Sequence, residues 1–501
     1  MSEKRYFKIF AKRHIIGEKN NYLILFEVLE NLDQYDQQEI GKGLAEKGVP
    51  GKYLAADKNY LYNLIMRGLS SYHSGKTVSL KIKEYVHQVE ILYEKSLYDQ
   101  CLSLVKKGKK LADKYDLYPL YIELSSWEQK VLIQQDKTKE VAATLSDAAA
   151  HLARLDNMNA FMQLYYRMND LARDIPLARS KEEIAKLNEF ISHPFLKDES
   201  IAMSFQARLF FWKIYARYYQ SCDNKSKELE ACDHLLSLMD SNENYAQEFP
   251  FDYLGIYSRL LTINRYTADE QFNKIIQDLQ SFPNRIKKVR RNVELRISAE
   301  CYDNKIRRNI YLGRIKEAQA ELGEQEAFIK KFQGQFSKGE VLEFQYLFSY
   351  IHLLGGSYKF ALKWINFMLN EVDDKLRPDI QPYIRILNLV THYELENYSV
   401  LKYAADRAYR YLKRKKLLHS TERTIVKLFQ QLAKMEGLGI RQVLELMKDY
   451  RAQLNQIFED PFERKALAYF DILSWLDAKI SGLTFSEIRN RQIESGEISS
   501  Y

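Results

Sequence analysis

The string His73-Ser74-Gly75-Lys76-Thr77 ends like a loop that cradles phosphates, where backbone N–H groups and a lysine surround the anion. That chemistry needs an earlier glycine where Ser70 stands, and the lead-in reads as helix rather than strand, so no nucleotide site is expected. Gly41-Lys42-Gly43 also lacks a preceding strand, and Glu46 replaces the third glycine of a dinucleotide loop. Cys232 and His234, with Cys222 nearby, are of metal-ligating type. Two residues apart on a helix they point to different faces, and no fourth ligand follows at metal-site spacing. The nine histidines are scattered, the closest pair being His73 and His87, without a pair at the helical spacing a zinc hydrolase uses. Asp373-Asp374 reads as a solvated turn. No catalytic residue, metal or cofactor is expected.

Cations are the remaining candidates. Between Arg285 and Lys316 eleven Lys or Arg face Glu294, Glu300 and Asp303, an excess equal to the chain's net charge of +8. Arg285, Lys287, Lys288, Arg290 and Arg291 are the candidate partner-binding residues, and the spacing puts Arg285, Lys288 and Arg291 on one helical face. Such a stripe can grip phosphates or an acidic segment. The simpler reading is a solvated outer face. Arg407, Arg410 and Lys413 to Lys416 sit near a helix end, where the helix dipole favours cations without any ligand.

The elements that carry these residues read as helical hairpins. Phe344, Phe348, Ser349 and His352 lead to the turn Gly355-Gly356-Ser357-Tyr358, then Ala361, Ile365 and Met368. Steps of three and four on both sides of a glycine turn give each of two antiparallel helices one packing stripe. Ser349 and Ala361 are small where the helices approach. About 40 residues on, the pattern returns as Leu389, His392, Glu396-Asn397-Tyr398, Leu401, Ala405 and Ala408. Sliding the template finds Tyr85, Val89 and Leu92 before Ser96-Leu97-Tyr98 and Cys101, and Tyr302 and Ile306 before Gly313-Arg314-Ile315 and Ala318. Tyr98, Cys101, Ser349, Tyr358, Ala361, Tyr398 and Leu401 are thus expected to pack the repeats, while Lys305, Gln325 and Gln345 break the pattern.

Gly-Ser-Tyr-Lys-Phe-Ala at 356 to 361 and Gly-Arg-Ile-Lys-Glu-Ala at 313 to 318 resemble the turn signature of the tetratricopeptide repeat family. The resemblance implies a right-handed solenoid of antiparallel hairpins whose inner face binds a peptide or protein. The strings SEKRYFKIFA (2 to 11), KNYLYNLIMRGLSSYH (58 to 73), RPDIQPYIRILNLVTHYELENY (377 to 398) and DPFERKALAYFDILSWLDAKI (460 to 480) resemble large helical proteins of Bacteroidetes-type bacteria, which implies one unit from end to end and brings no activity or functional residue.

Composition fits an all-α chain. Nine prolines and 19 glycines are few for the length, and 46% apolar with 28% charged residues is ordinary for a globular protein. The 36 tyrosines are expected between helices, rings packed and hydroxyls at the solvent edge. Four cysteines read as buried small residues of a reducing compartment. Met-Ser-Glu-Lys-Arg-Tyr lacks the apolar core of a signal peptide and no stretch reaches the roughly 18 apolar residues of a membrane span, so a cytoplasmic location is expected.

In order, the expected organisation is a helical N-terminal cap over 1–78, a hairpin-repeat solenoid over 79–482 and a polar, frayed tail over 483–501. Within the cap, a basic amphipathic helix follows Ser2, and further helices run from Asn21 to Asn31, Asp36 to Lys47 and Leu54 to Ser71. A helix from Lys139 to Leu155 closes the first part, and no register is assigned between 158 and 282. The expected function is a non-enzymatic scaffold or adaptor holding an unidentified protein or peptide in the groove, with a nucleic-acid-associated regulator using the basic helices as the alternative and no membrane partner.

Overall fold

The computed structural model describes residues 2–13, 21–32, 35–49, 53–241, 245–286, 291–437 and 439–496. Among them the protein is 82% helix with no strand, and neighbouring helices pack in pairs. No helix among the described residues is long and apolar enough to cross a membrane. The chain divides into two compact units, residues 1–156 and 157–501.

Unit 1 begins with α1 (Glu3–Lys12), α2 (Asn21–Glu30), α3 (Gln37–Glu46) and α4 (Leu54–His73), close to the expected bounds, and the side chains of Ser2 and Asp36 cap α1 and α3. Phe7, Leu25, Ile40, Leu44, Leu61 and Leu64 give these four helices a core of their own. The phosphate-loop lookalike is a cap: Thr77 accepts the Leu80 amide at 3.2 Å and starts α5 (Val78–Glu94). Then come α6 (Tyr98–Lys114), α7 (Tyr118–Gln134) and α8 (Thr138–Asp174). The helix expected to stop at Leu155 runs on to Asp174 because Phe161, Leu164, Met168 and Ala172 continue a buried stripe at helical spacing and no breaker precedes Pro176. The boundary between the units falls within α8.

Unit 2 continues with α9 (Lys181–Ile191), α10 (Phe205–Ser221), α11 (Lys225–Asp240), α12 (Tyr245–Glu248), α13 (Pro250–Ile263) and α14 (Asp269–Ser281). Next are α15 (Arg291–Tyr311), α16 (Ile315–Phe332), α17 (Lys338–Leu354), α18 (Tyr358–Glu371), α19 (Gln381–Glu394) and α20 (Tyr398–Lys415). The last five are α21 (Ser420–Leu432), α22 (Ile440–Ile457), α23 (Pro461–Arg464), α24 (Ile472–Ser481) and α25 (Phe485–Glu494).

Among the described residues one turn recurs seven times. Ser96, Asp116, Asp136, Asp223, Gly313, Gly356 and Glu396 each take a left-handed conformation, with φ between 54° and 76°. In each case the next residue's amide donates back to a carbonyl five residues earlier at 2.8 to 2.9 Å, and the following helix starts one residue later. The carbonyls at α17 and α19 are those of His352 and His392, so the two histidines do hold equivalent places beside their turns. Five residues after the left-handed position the side chain is buried in six of the seven, Val141 being the exception: Cys101, Ala318, Ala361 and Leu401 are fully enclosed, as is Ser349 opposite. Tyr98, Tyr358 and Tyr398 are half-buried at the helix starts, and Tyr98 and Tyr398 meet Tyr93 and Tyr393 edge-on across the turn. Asp223 marks the same turn between α10 and α11, in the stretch without a sequence register, and there the buried fifth position holds Glu228.

Because Ser, Asp and Glu occupy the left-handed position elsewhere, the turn itself tolerates a side chain. Gly313 differs: a Cβ there would lie 2.6 Å from Arg489 Cβ and 3.2 Å from Ser486 O, whereas one on Gly356 would meet nothing within 4 Å. Gly356→Ala is expected to cost about 1 kcal/mol, the left-handed penalty alone, and Gly313→Ala at least about 2 kcal/mol because α25 must also shift. Equal denaturation midpoints for the two variants would contradict this.

Within the stretch expected to be a frayed tail, the described residues 483–496 hold a capped helix. Thr484 and Glu487 make a reciprocal capping box, and α25 buries Phe485, Ile488 and Arg489. The Arg489 guanidinium donates to Tyr311 O at 2.7 and 2.9 Å and to Asp471 Oδ2 at 2.9 Å. Polarity concealed this, since an arginine that completes a buried network reads as surface. Residues 497–501 lie outside the described residues.

Candidate functional site: a cation-rich cavity in unit 2

Five of the eight cations among the described residues of the basic stretch pair with carboxylates of the fold. Arg296 pairs with Glu340, Arg307 with Asp303 at 2.8 Å and Glu343 at 2.7 Å, and Arg308 and Arg314 with Asp269 at 2.8 and 2.9 Å. All but the Asp303 contact join residues 36 to 45 positions apart, about one repeat, so they tie each hairpin to its neighbour. The solvated outer face is thereby corrected for Arg307 and Arg308: side chains that bridge hairpins look, in sequence, like an unspent positive run. Arg285 pairs with Asp240 at 2.9 Å over the Tyr253 ring, and exposed Arg291 lies over Phe332. These two do not share a helical face, because a short 3-10 turn ends at Arg285, Ile286 is extended and α15 begins at Arg291. Lys287, Lys288 and Arg290 lie outside the described residues.

Of the other candidates, His234 stacks on Trp212 at 3.8 Å and Cys232 is buried, its thiol pushed up to about 12 by that burial. His352 is 3.2 Å from Glu326 and stacks on Phe360, and burial lowers the His392 pKa. The structure brings none of these together.

What unit 2 does assemble is a cavity of about 1160 Å³. Its walls come from the end of α8, from α9, α10, α11, α13 and the 3-10 turn after it, α15 and α17, the loop before α19, the segment 461–471, and α25. Tyr346, Tyr350 and Tyr469 contribute aromatic surface, with phenol pKa values raised chiefly by burial. Glu343 bridges Arg307 and Arg377. Burial would raise this carboxyl, but the two guanidinium charges outweigh it and hold it below the ordinary range. Arg377 also forks onto Asp379 at 2.9 and 2.8 Å.

Among the described lining residues nine Lys or Arg stand against five Asp or Glu. Four of the acids are held by arginines: Glu228 by Arg259, Glu343 by Arg307 and Arg377, Asp379 by Arg377, and Asp471 by Arg489. Three part-buried cations have no carboxylate within ion-pair distance among the described residues. Arg217 donates to Gln220 and, at 3.4 Å, to Ala172 O; Arg265 to Asn304 Oδ1 at 3.1 Å; and Lys465 to Ala178 O at 2.7 Å. The Nε atoms of Arg217 and Arg265 are enclosed without any partner. Burial, with Arg259 nearby, pushes the Arg217 guanidinium down to about 10, and burial lowers Lys465 despite the influence of Asp223. Cys222 also lines the cavity, its thiol raised by burial and so a poor nucleophile.

Sequence reasoning missed these cations, although two signals were present. Arg217 lies on the stripe Phe210, Ile214, Ser221, where a cation replaces a packing residue, and Glu228 occupies a position that holds Cys, Tyr, Val, Ala or Leu after the other turns. Family models, curated proteins and solved structures give no match to this chain.

Proposed function

We propose that unit 2 is a right-handed, tetratricopeptide-like solenoid and that the protein is a non-enzymatic, cytoplasmic interaction scaffold, receiving a segment of a partner protein in the cavity. The repeated turn and the one-repeat spacing of the ion pairs support the solenoid reading. The binding reading rests on one observation: part-buried Arg217, Arg265 and Lys465 line a single aromatic-walled cavity with no carboxylate in ion-pair contact among the described residues. A buried cation left unpaired destabilises a fold, so its retention favours a ligand that supplies the charge. Tyrosine and arginine side by side suit the anchoring of a peptide. The arginines of 296 to 314 are engaged with acids of the same chain, which leaves the nucleic-acid alternative little charge in that stretch.

The test is selection from a random peptide library on the purified chain, with and without nuclease. Acidic peptides should be enriched, and Arg265→Glu should weaken their binding at least tenfold, that is by about 1.4 kcal/mol. Recovery of nucleic acid alone, released steeply by salt, overturns the reading.

A further inference from the structure

We propose that Arg217, Arg265 and Lys465 form the seat of a phosphoryl group. This inference rests on the reading of the cavity as a ligand site, and it specifies the chemistry of what enters.

The argument starts from charge. The described lining carries four more cations than acids, and four of the five acids are already committed to arginines. Asp223, the remaining acid, acts on Lys465 electrostatically without an ion-pair contact. A single carboxylate leaves most of that excess in place. A phosphoryl group, with a charge of about −1.5 to −2 near neutral pH, offsets up to about half of it and offers three acceptor oxygens.

Donor chemistry agrees. Guanidinium groups present planar forks that match phosphate geometry, and lysine adds a compact charge. Arg217 and Arg265 spend few of their donors on the protein: a glutamine oxygen and a long contact to Ala172 O for one, and an asparagine oxygen for the other. Each has lost part of its hydration, since its Nε is enclosed away from solvent. Their placement is built by the fold. Arg217 comes from α10, Arg265 from the 3-10 turn after α13, and Lys465 from the segment after α23, and a carbonyl or amide anchors each one. Neutral phenols and apolar Ile310, Leu347 and Leu467 complete the walls, so the anion would sit in a medium where its pairing is less screened than in bulk water.

A phosphoryl group can arrive free or on a side chain, and titration separates the two. Inorganic phosphate, pyrophosphate, O-phosphoserine and an acidic peptide with and without phosphoserine are titrated into the full-length chain at constant ionic strength, with Tm and heat as readouts. At least one phosphate-bearing probe should bind and raise Tm. Arg265→Gln and Lys465→Gln should each weaken it at least tenfold, while Arg285→Gln, on the surface, leaves it unchanged. Tighter binding of the phosphopeptide than of phosphate points to a modified partner, and the reverse order to a free metabolite. Because Arg217→Gln could disturb α10 and Lys465→Gln removes the contact to Ala178 O, the folds of both are first compared by circular dichroism, and the conclusion rests on Arg265→Gln and on those variants that fold as wild type. Absence of binding by every phosphate probe overturns the proposal, as does binding unaffected by Arg265→Gln and Lys465→Gln. Binding of the acidic peptide without preference for its phosphorylated form sinks the phosphoryl assignment while leaving the scaffold reading intact.

Discussion

Arg179→Ala is expected to destabilise unit 2 by about 3–5 kcal/mol, the cost of leaving a buried charge without its partner. The Arg179 side chain is 12% exposed and pairs with Glu422, at 0%, and with Glu463 at 3.0 Å. It also donates to Tyr383 OH at 3.2 Å and Phe462 O at 3.4 Å, and Tyr383 OH in turn donates to Glu422 at 2.8 Å. Removal strands Glu422, whose second oxygen already has no partner. These contacts span 204 to 284 residues, so they join the start of unit 2 to its last third. Lys465, donating to Ala178 O, makes the same junction. Chemical denaturation of wild type, Arg179→Ala, Glu422→Leu and the double variant measures the coupling. The double variant should recover part of the loss, because two missing charges cost less than one left behind. A loss below about 1 kcal/mol for Arg179→Ala, or strict additivity, would show that the junction is not held electrostatically.

Stability should also depend on pH through Glu300. Burial chiefly, reinforced by Asp303 and Glu343 and opposed by Ser258 and Arg296, raises its pKa from the ordinary 4.5 to about 7. With the folded value above the unfolded one, the contribution is fully present below about pH 4.5 and is lost as pH rises through about 7. Glu300→Gln, neutral at every pH, should match wild type near pH 4.5 and exceed it at pH 8 by roughly 2–3 kcal/mol, the equivalent of a shift of this size. A difference that stays flat across that range sinks the assignment.

Local pattern determined much of the architecture. The hairpin stripes at 344–368 and 389–408 and the small residues Ser349, Ala361 and Cys101 follow from 3.6-residue periodicity and steric need, which any stretch carries within itself. The turn at Asp223 was harder to see. Six neighbours of the template hold a Gly, Ser, Asp or Glu at its left-handed position, so no single residue type marks it, and Glu228 hides the packing position that follows.

Tertiary structure alone decided where the charges went. An arginine's sequence neighbours do not say whether it faces water, a carboxylate one repeat away or a cavity. Arg308 meets Asp269 39 residues away, Arg179 meets Glu463 across 284, and Arg489 turns a polar tail into a docked helix against Tyr311. Pairing acts through space and is decided by which helices are stacked. The cavity is likewise a product of the whole unit, since Arg217, Arg265 and Lys465 become neighbours in function only once α10, the turn after α13 and the segment after α23 line the same space.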